Sequence, residues 1–197
     1  MSDSIVAVPL DKAYRLLNHG PTVLVSARYN GVDNVMAAAW CCALDFSPPK
    51  LTLVLDKIAK TRELIEKSER FVIQIPTVAL AEMTYQLGSE SLYQYADKLQ
   101  RAGVELLAME GEDLPFVSGC SAWLSCRLIP EPHNQQTHDL FIAEVTAAWA
   151  DSRVFKQGHW QFDQADPALR SLHYVAGGHF YAIGHEVIVN DNAASID

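Results

Sequence analysis

Positive charge is in short supply in this sequence. Fifteen Lys and Arg stand against 24 Asp and Glu, a formal net charge of −9 with a pI near 5.2. General nucleic-acid binding and docking on anionic membranes both need a broad basic surface, so neither partner is expected. No apolar run reaches the roughly 18 residues of a membrane-spanning helix. The start, Met1-Ser2-Asp3-Ser4, has no basic cluster followed by an apolar stretch. No signal peptide is therefore expected, and the location is read as cytoplasmic. Cysteine is scarce too. Cys41, Cys42, Cys120 and Cys126 match neither a C-x-x-C motif nor a zinc knuckle. They lie in apolar, strand-like stretches where cysteine behaves as a small hydrophobe, so reduced structural thiols are expected. His133 and His138, and His173 and His179, lack the i, i+4 spacing with an acidic partner that marks helical zinc sites, and no metal is expected. Missing as well are G-x-G-x-x-G after a strand, G-x-x-x-x-G-K-[ST] and G-x-S-x-G. Dinucleotide-binding Rossmann units, phosphate-loop NTPases and nucleophile-elbow hydrolases thus lose their main signatures.

What is present is a core. With 197 residues, 49% of them hydrophobic, the chain is long enough to fold without disulfide staples. No linker or internal repeat divides it, so one domain over 1–197 is expected, with an ordered core from 10 to 189 and a frayed tail from 190 to 197.

Apolar spacing predicts a short helix over Asp11–Asn18 and a strand over Thr22–Tyr29. Asn30-Gly31 then marks a type I′ hairpin turn, because both central positions need positive φ. The returning segment, Asn34 to Asp45, reads as one extended strand passing something bulky, with Ser47-Pro48-Pro49 after it. Further strands are expected over Lys50–Asp56, Arg70–Ile75, Val117–Ile129, Asp139–Ala150 and Val154-Phe155. Helices are expected over Thr61–Ser68, Val78–Leu87 and Tyr93–Arg101, with Pro130 to Gln136 as a loop. A closing strand pair, His179–Ile183 and Glu186–Val189, surrounds Gly184-His185. Strands dominate and helices are short. The fold class is mainly β with short peripheral helices, an antiparallel barrel with helices at its edges.

Three segments carry candidate chemistry. Lys60-Thr61-Arg62 opens a helix, where unpaired N–H groups and the helix dipole suit a phosphate; equally, Thr61 is a simple cap and the two bases are solvated. Small residues between Asn34 and Cys42 let a planar ligand approach the backbone, with Trp40 lining the same pocket, or else form a strand packed under a helix. Tyr174 to Tyr181 offers aromatics and histidines for a stacking wall, or a Gly177-Gly178 turn leading into a last aromatic strand.

Taken in order, these segments resemble the flavin reductase-like family of FMN-binding split barrels. The likeness runs from Pro21-Thr22-Val23-Leu24-Val25-Ser26 and the Asn30-Gly31 turn through Asn34 to Trp40, Ser47-Pro48-Pro49-Lys50-Leu51 and Lys60 to Ile65. It continues through Phe71-Val72-Ile73-Gln74, Asp97-Lys98-Leu99, Leu140 to Val145, His173-Tyr174 and Tyr181 to Gly184, covering about residues 10 to 185. The resemblance implies a split barrel binding FMN, with FAD as the alternative, non-covalently at a homodimer interface. It implies that Asn34, Met36, Ala37, Ala38, Ala39, Trp40 and Cys41 run along the isoalloxazine. Lys60, Thr61 and Arg62 would meet the phosphate, after the strand ending at Asp56. Ser89 and the Asp97-Lys98 region would lie in a central loop near cofactor or partner subunit, with His173, Tyr174 and His179 near the flavin's open face. The implied activity is transfer of hydride from NAD(P)H to flavin, with a partner oxygenase as one recipient of reduced flavin. A flavin-binding or redox-sensing module without turnover is the alternative. Gln74, Leu99 and Ala143 depart from the family's usual Asn, Phe and Gly, and Ala37-Ala38-Ala39 lacks the hydroxyl residues often found there.

Overall fold

The structure, a computed structural model, describes residues 20–189. The helix expected over Asp11–Asn18 and the tail from Asn190 lie outside the described residues. The strands, in chain order, are β1 (Val23–Tyr29), β2 (Val32–Ala38), β3 (Cys41–Phe46), β4 (Pro49–Val54), β5 (Arg70–Ile75), β6 (Leu106–Leu107) and β7 (Phe116–Val117). They continue with β8 (Ala122–Ile129), β9 (Leu140–Ala150), β10 (Phe155–Lys156), β11 (His159–Trp160), β12 (Leu172–Ala176) and β13 (His179–Ala182). The helices are α1 (Lys60–Ser68), α2 (Ala81–Ser89), α3 (Lys98–Arg101) and α4 (Pro132–His138).

Seven strands form one antiparallel sheet in the order β2-β1-β5-β8-β9-β4-β3. Its two edge strands, β2 and β3, are joined by Ala39 and Trp40 alone. Six gaps of about 4.8 Å would set the edges of a flat sheet roughly 29 Å apart. Three Cα–Cα steps of 3.8 Å reach at most about 11 Å, so the sheet must curl until its edges nearly meet. The result is the expected split barrel. This corrects the single strand expected from Asn34 to Asp45: at Ala39-Trp40 the chain leaves one edge of the sheet and starts the other. Trp40 seals the step by accepting a backbone hydrogen bond from Val54 N at 3.0 Å.

The Asn30-Gly31 turn is as expected, with φ of 49° and 75°, and it pairs Tyr29 with Val32. β1 is covered on both faces because alternate residues feed two cores. Val23, Val25 and Ala27 join Leu53, Phe71 and Phe141 inside the barrel, closed by Leu64 and Ile65 of α1. Leu24 joins Val35, Val72, Leu87, Phe116 and Trp123 in a second core. Gln74, fully buried, ties the second core together: Nε2 donates to Ser26 Oγ at 3.0 Å and Oε1 accepts from Val117 N at 2.5 Å.

Four expected elements differ. Residues 132–138, expected as loop, form α4, because Pro132 suits a first helical turn, Gln135 Oε1 accepts from Glu131 N, and Asp139 ends the helix with φ of 54°. The helix expected over Tyr93–Arg101 shrinks to α3, since Ser91 draws the backbone N–H groups of Gln94 and Tyr95 into turns. The strand expected from Val117 breaks at Gly119, whose φ is 82°. β13 pairs with β12 through Gly177-Gly178, both at positive φ, while residues 183–188 form no strand. Ile183 N bonds Ser171 O and Glu186 N bonds Asp163 Oδ2 instead.

Candidate functional site

A cavity of about 460 Å³ opens where the barrel splits. One wall is the end of β2 and the link beyond it, Met36, Ala37, Ala38, Ala39 and Trp40. Thr84, Tyr85, Gly88 and Ser89 of α2 form the second wall, and Tyr174 and Phe180 of the β12–β13 hairpin form the third. Thr22, Val54, Asp56 and Asp139 complete the lining. Small side chains make this possible. A Cβ on Gly88 would stand 3.2 Å from Ala37 Cβ, and one on Gly178 would stand 3.3 Å from the Tyr85 ring, so both glycines permit close approach. Tyr174 and Phe180 face each other at 5.2 Å between ring centroids.

Of the expected site residues, eight line this cavity: Met36, Ala37, Ala38, Ala39, Trp40, Asp56, Ser89 and Tyr174. Asp56 uses its carboxylate to accept from Ile58 N at 3.0 Å, and Ser89 Oγ donates to Tyr85 O at 2.8 Å. The other seven stand off its wall. Asn34 is buried, and its Nδ2 donates to Thr61 Oγ1 at 2.9 Å, joining β2 to α1. Thr61 is thus no cap; the N-cap is Ala59, which supplies no side-chain hydrogen bond. The first N–H groups of α1 therefore have neither an intrahelical partner nor a side-chain cap. Lys60 Nζ pairs with Glu63 at 2.7 Å and lies over the Tyr93 ring. Hydrogen bonds from Lys60, Lys67 and Tyr93 hold the Glu63 carboxyl down at about 2.

Arg62 is 3% exposed, and its guanidinium is fully engaged. Nη1 donates to Leu55 O at 3.0 Å and pairs with Asp139, Nη2 donates to Gln135 O at 2.8 Å, and Nε pairs with Glu66 at 3.0 Å. Arg62 thereby fixes Asp139, a cavity residue, from behind. Cys41 pairs with Leu53 and packs on the barrel core, and burial pushes its thiol up to about 12, far from a reactive thiolate. All four cysteines are free. His173 and His179 flank Tyr174 and Phe180 in the hairpin, on positions that alternate away from the cavity.

Sequence reasoning missed Thr22, Val54, Thr84, Tyr85, Gly88 and Asp139, and reached Phe180 only as part of the segment from Tyr174 to Tyr181. One signal was available. Thr84 and Gly88 are four apart, on one face of a helix, and a glycine inside a helix marks a close approach. Thr22 precedes Val23, which pairs with Ala38, so its place beside Ala39 follows only from the register. Among the described residues no three His, Cys, Asp or Glu side chains gather as a metal site, and no helix is long and apolar enough to cross a membrane.

A seven-stranded antiparallel split barrel with a small-residue cavity at its split defines the class of protein. The chain belongs to the flavin reductase-like domain family, which matches residues 15–178. It is 67% identical to an FMN-binding domain of a flavin reductases-like enzyme from Shewanella baltica OS155, with a TM-score of 0.86 over 94% of this chain and 97% of that one. It is 41% identical to the uncharacterized protein YddH of Escherichia coli (strain K12) over 92% of this chain and 96% of the relative. The fold is shared with flavoredoxin of Desulfovibrio vulgaris (Miyazaki F), at 24% identity and a TM-score of 0.76 over 99% of this chain and all of that one.

Proposed function

We propose that this chain is an FMN-binding flavoprotein and acts as a flavin reductase-like oxidoreductase with NAD(P)H as electron donor. The observation that carries the reading is the cavity at the barrel split, whose size suits a planar cofactor and whose walls are alanines, a glycine and facing aromatics. The residues fit such a group: two buried threonine hydroxyls in the wall, on Thr22 and Thr84, have no partner among the described residues. The 67% identity to a chain described as FMN-binding supports the same choice of cofactor.

Bound FMN would supply the hydride-accepting chemistry. The protein's share is to hold and orient it and to exclude water. Ala37 to Trp40 would lie along the ring with their backbone groups toward its polar atoms, and Tyr174 and Phe180 would close the opposite side. The uncapped N-terminus of α1, with Lys60 beside it, would take the phosphate. Arg62 acts behind this wall as a positioning residue for Asp139. The site is completed, in this reading, by a second copy docked on β3. That strand is an unpaired sheet edge with Leu44 51% and Phe46 98% exposed, a surface that ordinarily needs cover.

Titration of the purified protein with FMN and riboflavin, followed by anaerobic addition of NADH or NADPH, tests the reading. Binding of both flavins with bleaching by a nicotinamide is expected, and Lys60→Gln should weaken FMN more than riboflavin. Failure to bind flavin overturns the assignment. Binding without bleaching leaves a flavin-binding module and overturns the reductase. Equal loss of both flavins in the variant overturns the phosphate site.

A further inference from the structure

The cavity wall contains a disagreement between burial and chemistry. Thr22 is 2% exposed and Thr84 is fully buried, yet neither hydroxyl has a hydrogen-bond partner among the described residues. Most buried side-chain polar groups are satisfied, and each exception calls for a reason. For Thr84 the exception is sharper, because a helical threonine ordinarily returns its hydroxyl to the carbonyl one turn back. Here it does not. Both residues line the same cavity, from different elements: Thr22 at the entry to β1, Thr84 in the middle of α2.

Among the described residues of the lining, no other buried side-chain polar atom is left without a partner. The facing stretch of β2 and its link is Ala37-Ala38-Ala39, whose side chains carry no donor or acceptor. Of the other two hydroxyls of α2 on the wall, Ser89 already donates to Tyr85 O, and Tyr85 is half-exposed rather than buried. A ligand with a polar edge would therefore find backbone groups alone on the alanine side and, beside it, two buried hydroxyls that no described residue satisfies. Threonine is suited to this task. Its β-branched side chain is restricted at χ1, so the hydroxyl is held in a set direction, and each hydroxyl both donates and accepts.

Building on the flavin reading above, we infer that Thr22 and Thr84 are the ligand-selecting residues of the cavity, hydrogen-bonding the polar edge of the planar ring rather than its tail. The inference predicts a division seldom seen in a structural residue. Removing a hydroxyl that has no protein partner should not harm the protein alone, while it should harm binding of the ring.

The test uses Thr22→Val and Thr84→Val, which keep shape and lose the hydroxyl, with Thr84→Ser as the variant that keeps it. Thermal unfolding of each protein without flavin is measured beside titrations with FMN and with lumiflavin, the ring lacking the ribityl phosphate. Each Val variant should unfold at the wild-type temperature or above it. Each should bind FMN and lumiflavin more weakly by the same factor, roughly three- to tenfold for one neutral hydrogen bond. Thr84→Ser should retain affinity. Unchanged affinity in both Val variants would overturn the inference while leaving flavin binding intact. So would a loss confined to FMN, which would move the hydroxyls to the tail. A lower unfolding temperature with unchanged affinity would make them structural. If the wild-type protein binds neither flavin, the functional reading itself fails and this inference with it.

Discussion

Lys98 shows how far the environment of one residue can move its chemistry. Its side chain is 1% exposed, and Nζ donates to Val35 O at 2.8 Å. Burial pulls the ammonium's pKa down to about 8, with the carboxylate of Glu90 opposing part of the shift. The folded value lies below the unfolded one, near 10.5. Below pH 8 both states hold the proton, and stability does not respond to it. Between about 8 and 10.5 the unfolded chain binds a proton that the folded chain has released, so this group makes stability rise with pH. Urea unfolding at pH 7, 8 and 9 should show that rise in the wild-type protein, and Lys98→Met should flatten it. A wild-type curve parallel to that of the variant would mean that the ammonium keeps an ordinary affinity for protons. Arg62 gives the opposite lesson. Its position at the start of a helix suggests a free cation for a phosphate, but the fold surrounds it with Leu55 O, Gln135 O, Asp139 and Glu66. No local pattern could reveal this, because Gln135 and Asp139 are more than 70 residues away in sequence.

At the scale of elements, the contact of α2 with β2 sets the width of the cavity. The helix can sit close because Gly88 faces Ala37, where an added Cβ would come within 3.2 Å. Leucine is a better helix former than glycine by about 1 kcal/mol, so helix propensity alone would make Gly88→Leu stabilising. Overpacking costs about 1–3 kcal/mol and should win, lowering the unfolding temperature and weakening flavin together. A double-mutant cycle with Ala37→Gly should give a coupling energy above about 0.5 kcal/mol, as expected for side chains in contact. Additive effects would show that the helix carries no constraint there. The aromatic hairpin is the matching element on the other side. Gly178 lets it approach Tyr85, and the strand alternation that turns Tyr174 and Phe180 toward the cavity turns His173 and His179 away.

For the molecule as a whole, the proposed second copy has a specific consequence. β3 leaves Cys42, Ala43, Leu44, Asp45 and Phe46 exposed along one edge, beginning two residues after the cavity residue Trp40. Docking on that edge would cover it and close the cavity at once. Sedimentation should therefore find a dimer, and Leu44→Glu with Phe46→Glu should shift it to monomer and weaken FMN severalfold. A wild-type monomer that binds FMN with full affinity would refute the shared site. The acidic balance of the chain also takes on a local meaning. With a net charge of −9, an anionic ligand must be met by a small region, and in the proposed reading the uncapped start of α1 beside Lys60 would be that region.

By itself, the sequence determined the local units: the Asn30-Gly31 turn, the apolar strands β1, β4, β5, β8 and β9, the helix from Lys60, and the order of segments that marks the family. These depend on backbone preference and on hydrophobic period, which act over a few residues. It also located one wall of the cavity, because a run of small residues is visible without a fold. Tertiary structure alone decided the rest. Only closure of the sheet splits the segment after Asn34 between two edges, brings Thr22, Thr84, Asp139 and Phe180 to one cavity, and draws Arg62 inward to buried carbonyls. The physical reason is common to all three. Register and burial are settled by partners distant in the chain, and a side chain's task depends on which of those partners the fold has already satisfied.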